Sequence, residues 1–280
     1  TNLQDNLPPF DHKIALKIVE KELGSPANIL FDEFPNKPIA SASLGQVYKA
    51  KISNNYYVAV KVQRPNLEFI IRRDVVILKL LANFLAPFLP LNIGVGIGEI
   101  IDEFGKALFE EINYEKEAIN AERFAKLFKN NPQVIIPKVE KSFSSKKVIT
   151  TSWIEGVKLK DRNEIEQNDL IPSSFIRTGV ISGLQQLFEY GYFHADPHPG
   201  NMFALRGGDH KNGHIAYVDF GMMDSISDFD RLTLIKAIVH LINNEFLLLA
   251  KDFQKLGFLS DDQDLQSLVN PLKEVLGDSL

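Results

Sequence analysis

The sequence predicts an α+β chain built as two lobes, strand-rich in front and helix-rich behind. Three observations carry this. Apolar residues recur at period two in the first half, as in "YYVAVKVQ" (Tyr56–Gln63). Helical periodicity dominates beyond Ile171. A short linking stretch, "WIEGVKL" (Trp153–Leu159), lies between the two regimes. The expected organisation is a helical extension over 1–35, truncated at its start, a strand-rich lobe over 36–155 and a helical lobe over 156–280. A chain of 280 residues can bury a substantial core in such a form.

The elements follow in order. Residues 11–23, "DHKIALKIVEKEL", read as an amphipathic helix with Ile14, Ile18 and Leu23 inward and Gly24 as its stop. "NKPIASASLGQVYKAKI" and "NNYYVAVKVQ" read as two strands joined by a turn at Ser53–Asn55. Residues 66–86 and 97–129 read as helices, the first ending near Pro87. "VIIPKVEKSF" and "KKVITTSWI" read as strands, and Ile171–Tyr190 as a long helix. "MFAL" and "HIAYVDF" are short strands around the polar turn "RGGDHKNG", and the remainder is helical. Gly94, Gly96 and Gly98 mimic a dinucleotide fingerprint but follow Pro90 rather than a strand, so they read as a helix-to-helix connection.

Composition narrows the function classes. Hydrophobic residues make up 45% and charged residues 24%, ordinary for a globular protein. The net charge of −5 gives no electrostatic footprint for nucleic acid. The chain has no Cys, which excludes disulfides, thiolate zinc sites and thiol catalysis. It starts at Thr1 without a leader pattern and reads as a piece of a longer protein. Lys79, Asn83, Pro87 and Pro90 interrupt the most apolar stretch, Val75–Leu91, which falls short of the twenty or so apolar residues of a spanning helix.

The chemistry sits in four fragments. "VAVK" closes an apolar strand with Lys61, which is either a surface strand-end lysine or the phosphate-anchoring lysine of a kinase-like site. Upstream, "ASASLGQV" (Ala40, Ser41, Ala42, Ser43, Leu44, Gly45, Gln46, Val47) fits G-x-G-x-x-G-x-V with alanine at the first two glycines. An added methyl restricts positive φ and close approach to phosphate. "FHADPHPGN" carries Asp196 and, five positions on, Asn201, the spacing of a kinase catalytic loop. Asp196 would accept a proton or orient a water, and Asn201 would hold Mg²⁺. "DFG" at Asp219–Gly221 supplies a second metal ligand, Asp219.

Two blander readings compete for "FHADPHPGN". It could be a metal site from His194, Asp196 and His198, or a plain Pro- and Gly-rich turn. The four fragments in kinase order favour a two-lobed protein-kinase-like fold with a strand-rich N-lobe, a helical C-lobe and extra helices. Such a site needs an acid for Lys61, and "FEEINYEKEAINAERF" offers Glu110, Glu111, Glu115 and Glu117, most of which belong to a solvated face.

"PIASASLGQVYKA", "VAVKVQRP", "EEINYEKEAINAERF", "FHADPHPGN" and "VDFGMM" together resemble the UbiB-type atypical kinases, a family tied to isoprenoid quinone and prenyl-lipid metabolism. The resemblance runs from "LQDNLPPF" to well past the DFG. It implies ATP with Mg²⁺ or Mn²⁺ as cofactors. It implies Glu111 as partner of Lys61, Glu117 as an additional family glutamate, Thr151 as gatekeeper, and the backbone of Ser152 and Ile154 at the adenine. It also implies a prenyl-lipid or quinone ligand, peripheral membrane association, a biosynthetic complex and no nucleic-acid partner. The setting it implies is bacterial cytoplasm at the membrane face, a plastid or a mitochondrion. Family members carry a K-x-G-Q element ahead of "LQDNLPPF", and this chain begins after it.

Three departures set the chain apart from a protein kinase acting on peptides. Ala195 replaces the Arg that reads an activation-loop phosphate. His198 stands where a Lys would offset γ-phosphate charge. No A-P-E follows the DFG, and "MMDSISDFDRLTLIKAIV" leads into a helix capped by Ser227 or Asp228. The expected activity is a Mg²⁺-dependent phosphotransferase or ATPase acting on water, a lipid-like molecule or itself. A nucleotide-gated lipid-binding pseudokinase and a scaffold with vestigial nucleotide binding are the competing functions.

Overall fold

Alternating burial along Tyr56–Gln63 sets the geometry of the first sheet: Val58, Val60 and Val62 are fully buried, while Ala59 and Lys61 between them are half-buried. The computed structural model describes residues 7–53, 55–85, 97–208 and 213–276. The connection through Pro87, Pro90, Gly94 and Gly96 lies outside the described residues, as does the centre of the "RGGDHKNG" turn. In chain order the elements are α1 (His12–Leu23), α2 (Ala27–Leu30), β1 (Ala40–Ser41), β2 (Gly45–Ile52), β3 (Tyr56–Gln63), α3 (Leu67–Leu85), α4 (Ile97–Glu111), α5 (Tyr114–Leu127), β4 (Val134–Ile135), β5 (Val148–Ser152) and β6 (Val157–Lys158). They continue with α6 (Arg162–Gln167), α7 (Pro172–Leu184), β7 (Tyr192–His194), β8 (Met202–Gly208), β9 (Gly213–Tyr217), β10 (Met223–Ser225), α8 (Asp228–Ile242), α9 (Phe246–Lys255) and α10 (Leu265–Leu276).

The chain forms two compact units, Thr1–Phe175 with Pro197–Met222, and Ile176–Asp196 with Met223–Leu280. Packing divides the chain after Phe175, Asp196 and Met222.

In the first unit β1, β2, β3 and β5 form one antiparallel sheet in that order. The side chains of Val58, Val60, Val62, Tyr48 and Ala50 point to one face, because directly opposed residues share a face. That face packs on α1 through Ala15 and Val19, both fully buried, and on Ala27 and Phe31. The segment from Ala15 to Phe31 is thus part of the sheet's own core. The inward stripe of α1 is Ala15–Val19 rather than Ile14, which stays 40% exposed. Ile18 and Leu23 border the stripe and are partly buried. Asp11 caps the helix start by accepting from Lys13 N–H at 2.7 Å, and Gly24 ends it at φ 77°, a conformation that favours glycine.

The expected helix over 97–129 is two helices, α4 and α5, broken at Ile112–Asn113. Asn113 starts α5 by accepting from Glu115 N–H at 3.2 Å. Helix α3 lies on α4 where Gly105 admits Val75, and buries Leu67 and Ile71 against Ile112. Its other side leaves Phe69, Leu80 and Phe84 exposed. No helix among the described residues is long and apolar enough to cross a membrane. A second sheet of order β4, β9, β8, β6 contains a parallel β4–β9 pair, with the other pairs antiparallel. Only two residues of "VIIPKVEKSF" enter it, since Lys141–Phe143 turn as a short 3₁₀ helix.

In the second unit the expected long helix ends as a π-helical turn, Gln185–Tyr190, and Gly191 closes it at φ 60°. The short strands β7 and β10 pair antiparallel, with His194 opposite Met223. Ser227 caps α8 by accepting from Asp230 N–H at 3.1 Å. Ala237, Phe246 and Leu249 form the core where α8, α9 and α10 meet.

Candidate functional site

The β3 alternation that buries the valines turns Lys61 to the other face of the sheet, beside Val47 on β2 and Ile149 on β5. Lys61 Nζ lies 3.0 and 3.1 Å from the two carboxylate oxygens of Glu117, and 3.2 Å from Asp219 Oδ2. The Tyr114 ring lies under the ammonium at 5.0 Å. One cation is thus held between two carboxylates above an aromatic face, all within the first unit.

Helix α5 supplies this arrangement through its period. Tyr114, Glu117, Ala121 and Phe124 recur at three- and four-residue steps and are buried together. From the same stripe Asn120 Nδ2 donates to the Phe220 carbonyl at 2.9 Å, and the Phe124 ring packs on Phe220 and Tyr217. The DFG segment is thereby fixed to the helix that carries Glu117. Asp219 Oδ1 accepts from Gly221 N–H at 3.0 Å, which leaves Oδ2 on Lys61.

Electrostatics follow from burial. Desolvation works to lower the Lys61 pKa, but attraction from Asp219 and Glu117 outweighs it and holds the ammonium well above its ordinary range. Glu117 is only 3% exposed, and burial pushes its carboxyl up to about 7. Lys61 pulls it back down, while the Asp219 charge opposes that pull.

The partner of Lys61 is therefore Glu117, and the expectation of Glu111 is corrected. Glu111 ends α4, and the break at Ile112–Asn113 turns α5 so that Glu117 faces the sheet. Glu111 lies instead beside Gly221, its Cγ 3.6 Å from where a Cβ at that glycine would be.

The Ala40–Val47 stretch forms a tight β1–β2 connection in which Ala42 N–H donates to the Gly45 carbonyl at 2.8 Å. Arg64 clamps it. Its Nε donates to the Ala42 carbonyl at 2.8 Å, and Nη2 donates to Ser41 Oγ at 3.0 Å and the Pro8 carbonyl at 2.9 Å. Leu44 packs on the Leu67–Ile71 cluster, and Ser43 is exposed. Gln46 is fully buried on the face opposite Lys61, and its Oε1 accepts from Phe10 N–H at 3.1 Å. That side chain anchors the N-terminal segment. Gly45 has a packing reason: a Cβ there would sit 2.6 Å from the Tyr114 hydroxyl and 2.7 Å from the Val62 carbonyl.

Thr151 opposes Ala59, so it shares the Lys61 face. The amide of Ser152 donates to the Lys138 carbonyl at 2.8 Å, and Ile154 follows the strand end. Asn201 and Asp219 lie at one end of the β8–β9 hairpin, because Val218 N–H donates to the Asn201 carbonyl at 3.1 Å. A carboxylate and an amide oxygen are the hard donors that suit Mg²⁺, which also keeps waters and phosphate oxygens. Among the described residues no three His, Asp or Glu side chains converge into a metal cluster.

The two histidines of "FHADPHPGN" brace turns. In the second unit His194 Nδ1 accepts from Asp196 N–H at 3.1 Å, and His194 N–H donates to Gln186 Oε1 at 2.9 Å. In the first unit His198 Nδ1 accepts from Gly200 N–H at 3.1 Å. Sequence reasoning missed Arg64, Tyr114 and Asn120, although all three lie inside the quoted motifs.

Residues 2–252 match the family model described as "ABC1 atypical kinase-like domain". The chain belongs to the ABC1 atypical kinase-like family. An uncharacterised protein of Synechocystis is 45% identical over 99% of this chain, which spans 48% of that relative. Protein ACTIVITY OF BC1 COMPLEX KINASE 1, chloroplastic, of Arabidopsis thaliana is 42% identical over 98% of this chain, which spans 39% of it. The chain thus covers less than half the length of these curated relatives, whose sources fit a bacterial or plastid setting. A structure of Mycobacterium tuberculosis Rv3197 in complex with erythromycin aligns at TM-score 0.72 and 26% identity, covering 96% of this chain and 67% of that one. The ABC1 chain has a protein-kinase-like α+β fold, and its family supports a kinase-like ATP-binding protein.

Proposed function

We propose that this ABC1 chain binds ATP with a divalent metal and transfers or hydrolyses its γ-phosphate. The observation that carries the reading is the Lys61 ammonium held between Glu117 and Asp219. A lysine with both carboxylates in reach would keep a counter-ion in either state: Glu117 would hold it oriented with Asp219 given to a metal. Bound Mg²⁺ would neutralise phosphate charge. Asn201 and Asp219 are the residues that would hold it. Adenine would meet the Ser152 carbonyl and the Ile154 amide, with Thr151 behind them. Asp196, five positions before Asn201, takes the base role that the motif spacing gives it.

The acceptor on this reading is water, a small lipid-like molecule or the protein itself. His198 stands where a Lys would offset γ-phosphate charge, and its Nδ1 accepts from Gly200 N–H. A prenyl-lipid or quinone substrate, membrane association and a biosynthetic complex rest on the family resemblance. The deciding experiment is Mg²⁺-ATP turnover by the chain and by Asp196→Asn, with and without quinone-containing liposomes. Lipid-stimulated ADP release that disappears in Asp196→Asn, with nucleotide binding retained, is the expected result. Retained hydrolysis in that variant removes Asp196 from the mechanism. Tight binding without turnover in either protein favours the nucleotide-gated lipid-binding module.

A further inference from the structure

We infer that the Tyr114 hydroxyl is a hydrogen-bond donor to the phosphate chain of a bound nucleotide, an assignment that rests on the nucleotide reading above. Tyr114 is fully buried, and its hydroxyl has no hydrogen-bond partner among the described residues. A buried hydroxyl without a partner is costly, and phenylalanine would fill the same space without that cost. The oxygen is therefore explained by a partner present in another state of the site.

Geometry says which partner. The ring lies 5.0 Å from Lys61 Nζ, so the side chain starts beneath the phosphate-anchoring lysine. Its far end reaches Gly45, where a Cβ would stand 2.6 Å from the hydroxyl oxygen. Tyr114 thus spans the interval between Lys61 and the glycine that closes the Ala40–Gly45 connection. On the nucleotide reading the phosphates follow that same interval. Burial also raises the phenol pKa, with repulsion from Glu117 and Asp219 adding to it, so the hydroxyl stays protonated at neutral pH. A phosphate oxygen is an anionic acceptor, for which an O–H donor is a strong match. The aromatic face serves the ammonium and the hydroxyl serves the phosphate.

The test uses the 280-residue chain and Tyr114→Phe, which keeps the ring and its packing. Calorimetric titrations with Mg²⁺-ADP, a non-hydrolysable Mg²⁺-ATP analogue and adenosine are paired with ligand-free unfolding midpoints. The expected result is a variant at least as thermostable as the parent, with Kd for both nucleotides raised roughly tenfold and adenosine affinity unchanged. Equal nucleotide affinity in the two proteins overturns the assignment while leaving the nucleotide reading intact. Equal loss for adenosine also overturns it, because the hydroxyl would then shape the site without touching phosphate. A parent chain that binds no nucleotide overturns both readings together.

Discussion

Glu117 meets Lys61 through both of its carboxylate oxygens, from the first turn of a helix that begins only after Glu111 has ended the one before it. The link is buried, so its protonation is tied to folding. Unfolded, Glu117 has an ordinary value of 4.5; folded, burial lifts it to about 7. Between these values the native state keeps a proton that the unfolded chain has lost. Its contribution to stability is full below pH 4.5 and is lost as the pH rises through about 7. Glu117→Gln should flatten the pH dependence of the unfolding free energy across this window by roughly 3 kcal/mol. Chemical denaturation at intervals from pH 4.5 to 8 checks it, and parallel curves for the two proteins would contradict it.

Lys61→Met should abolish turnover and also weaken the fold. It leaves Glu117 buried with no cation, a loss of roughly 3–5 kcal/mol when the carboxylate is ionised. The penalty should shrink at pH 5, where Glu117 is protonated in the native state. Unfolding midpoints at pH 5 and 8 separate this electrostatic effect from a packing defect, which would be the same at both.

Arg64→Ala should loosen the Ala40–Gly45 connection without touching Lys61. Arg64 donates to Ala42, Ser41 and Pro8, so its removal frees the loop carbonyl and the N-terminal segment together. Nucleotide KM should rise about fivefold to tenfold, in line with one or two lost hydrogen bonds, with a smaller change in kcat. Proteolysis near Pro8 should accelerate in the same variant. An unchanged KM would show that the clamp serves folding alone.

Gly45→Ala should destabilise the first unit by roughly 1–3 kcal/mol, the usual range for overpacking. The new methyl meets both the Tyr114 hydroxyl and the Val62 carbonyl. Adding Tyr114→Phe should recover only part of the loss, because backbone at Val62 cannot swing aside. Thermal unfolding of the single and double variants measures the split. Full recovery would mean that the hydroxyl alone demanded the glycine.

Legibility in the sequence followed periodicity. The β2–β3 hairpin, α1 and α3 were readable because one face of each is apolar at a single period. Spacing singled out Lys61, Asn201 and Asp219, and the structure brings Asn201 and Asp219 to one hairpin end. The Glu111–Glu117 choice was not readable as one helix, since six residues do not return to one face at 3.6 per turn. The break at Asn113 resolves it, and an asparagine capping the next turn was the available signal. Strand β10 is three residues long, too short for any pattern, and exists through pairing with β7. Arg64 and Tyr114 escaped notice because their roles depend on neighbours distant in sequence.

The close fit around Gly45 separates two meanings that a glycine in this loop can carry. Its absence of a side chain is required by the Val62 backbone and the Tyr114 hydroxyl, whether or not phosphate ever arrives. A descendant of this chain that lost its nucleotide could let Asn201 or Asp219 drift, yet would still be held to glycine at position 45. Surveying relatives for surviving activity by that glycine would therefore count dead copies as living ones. The informative markers are Asn201 and Asp219, the pair at one hairpin end that would hold a metal.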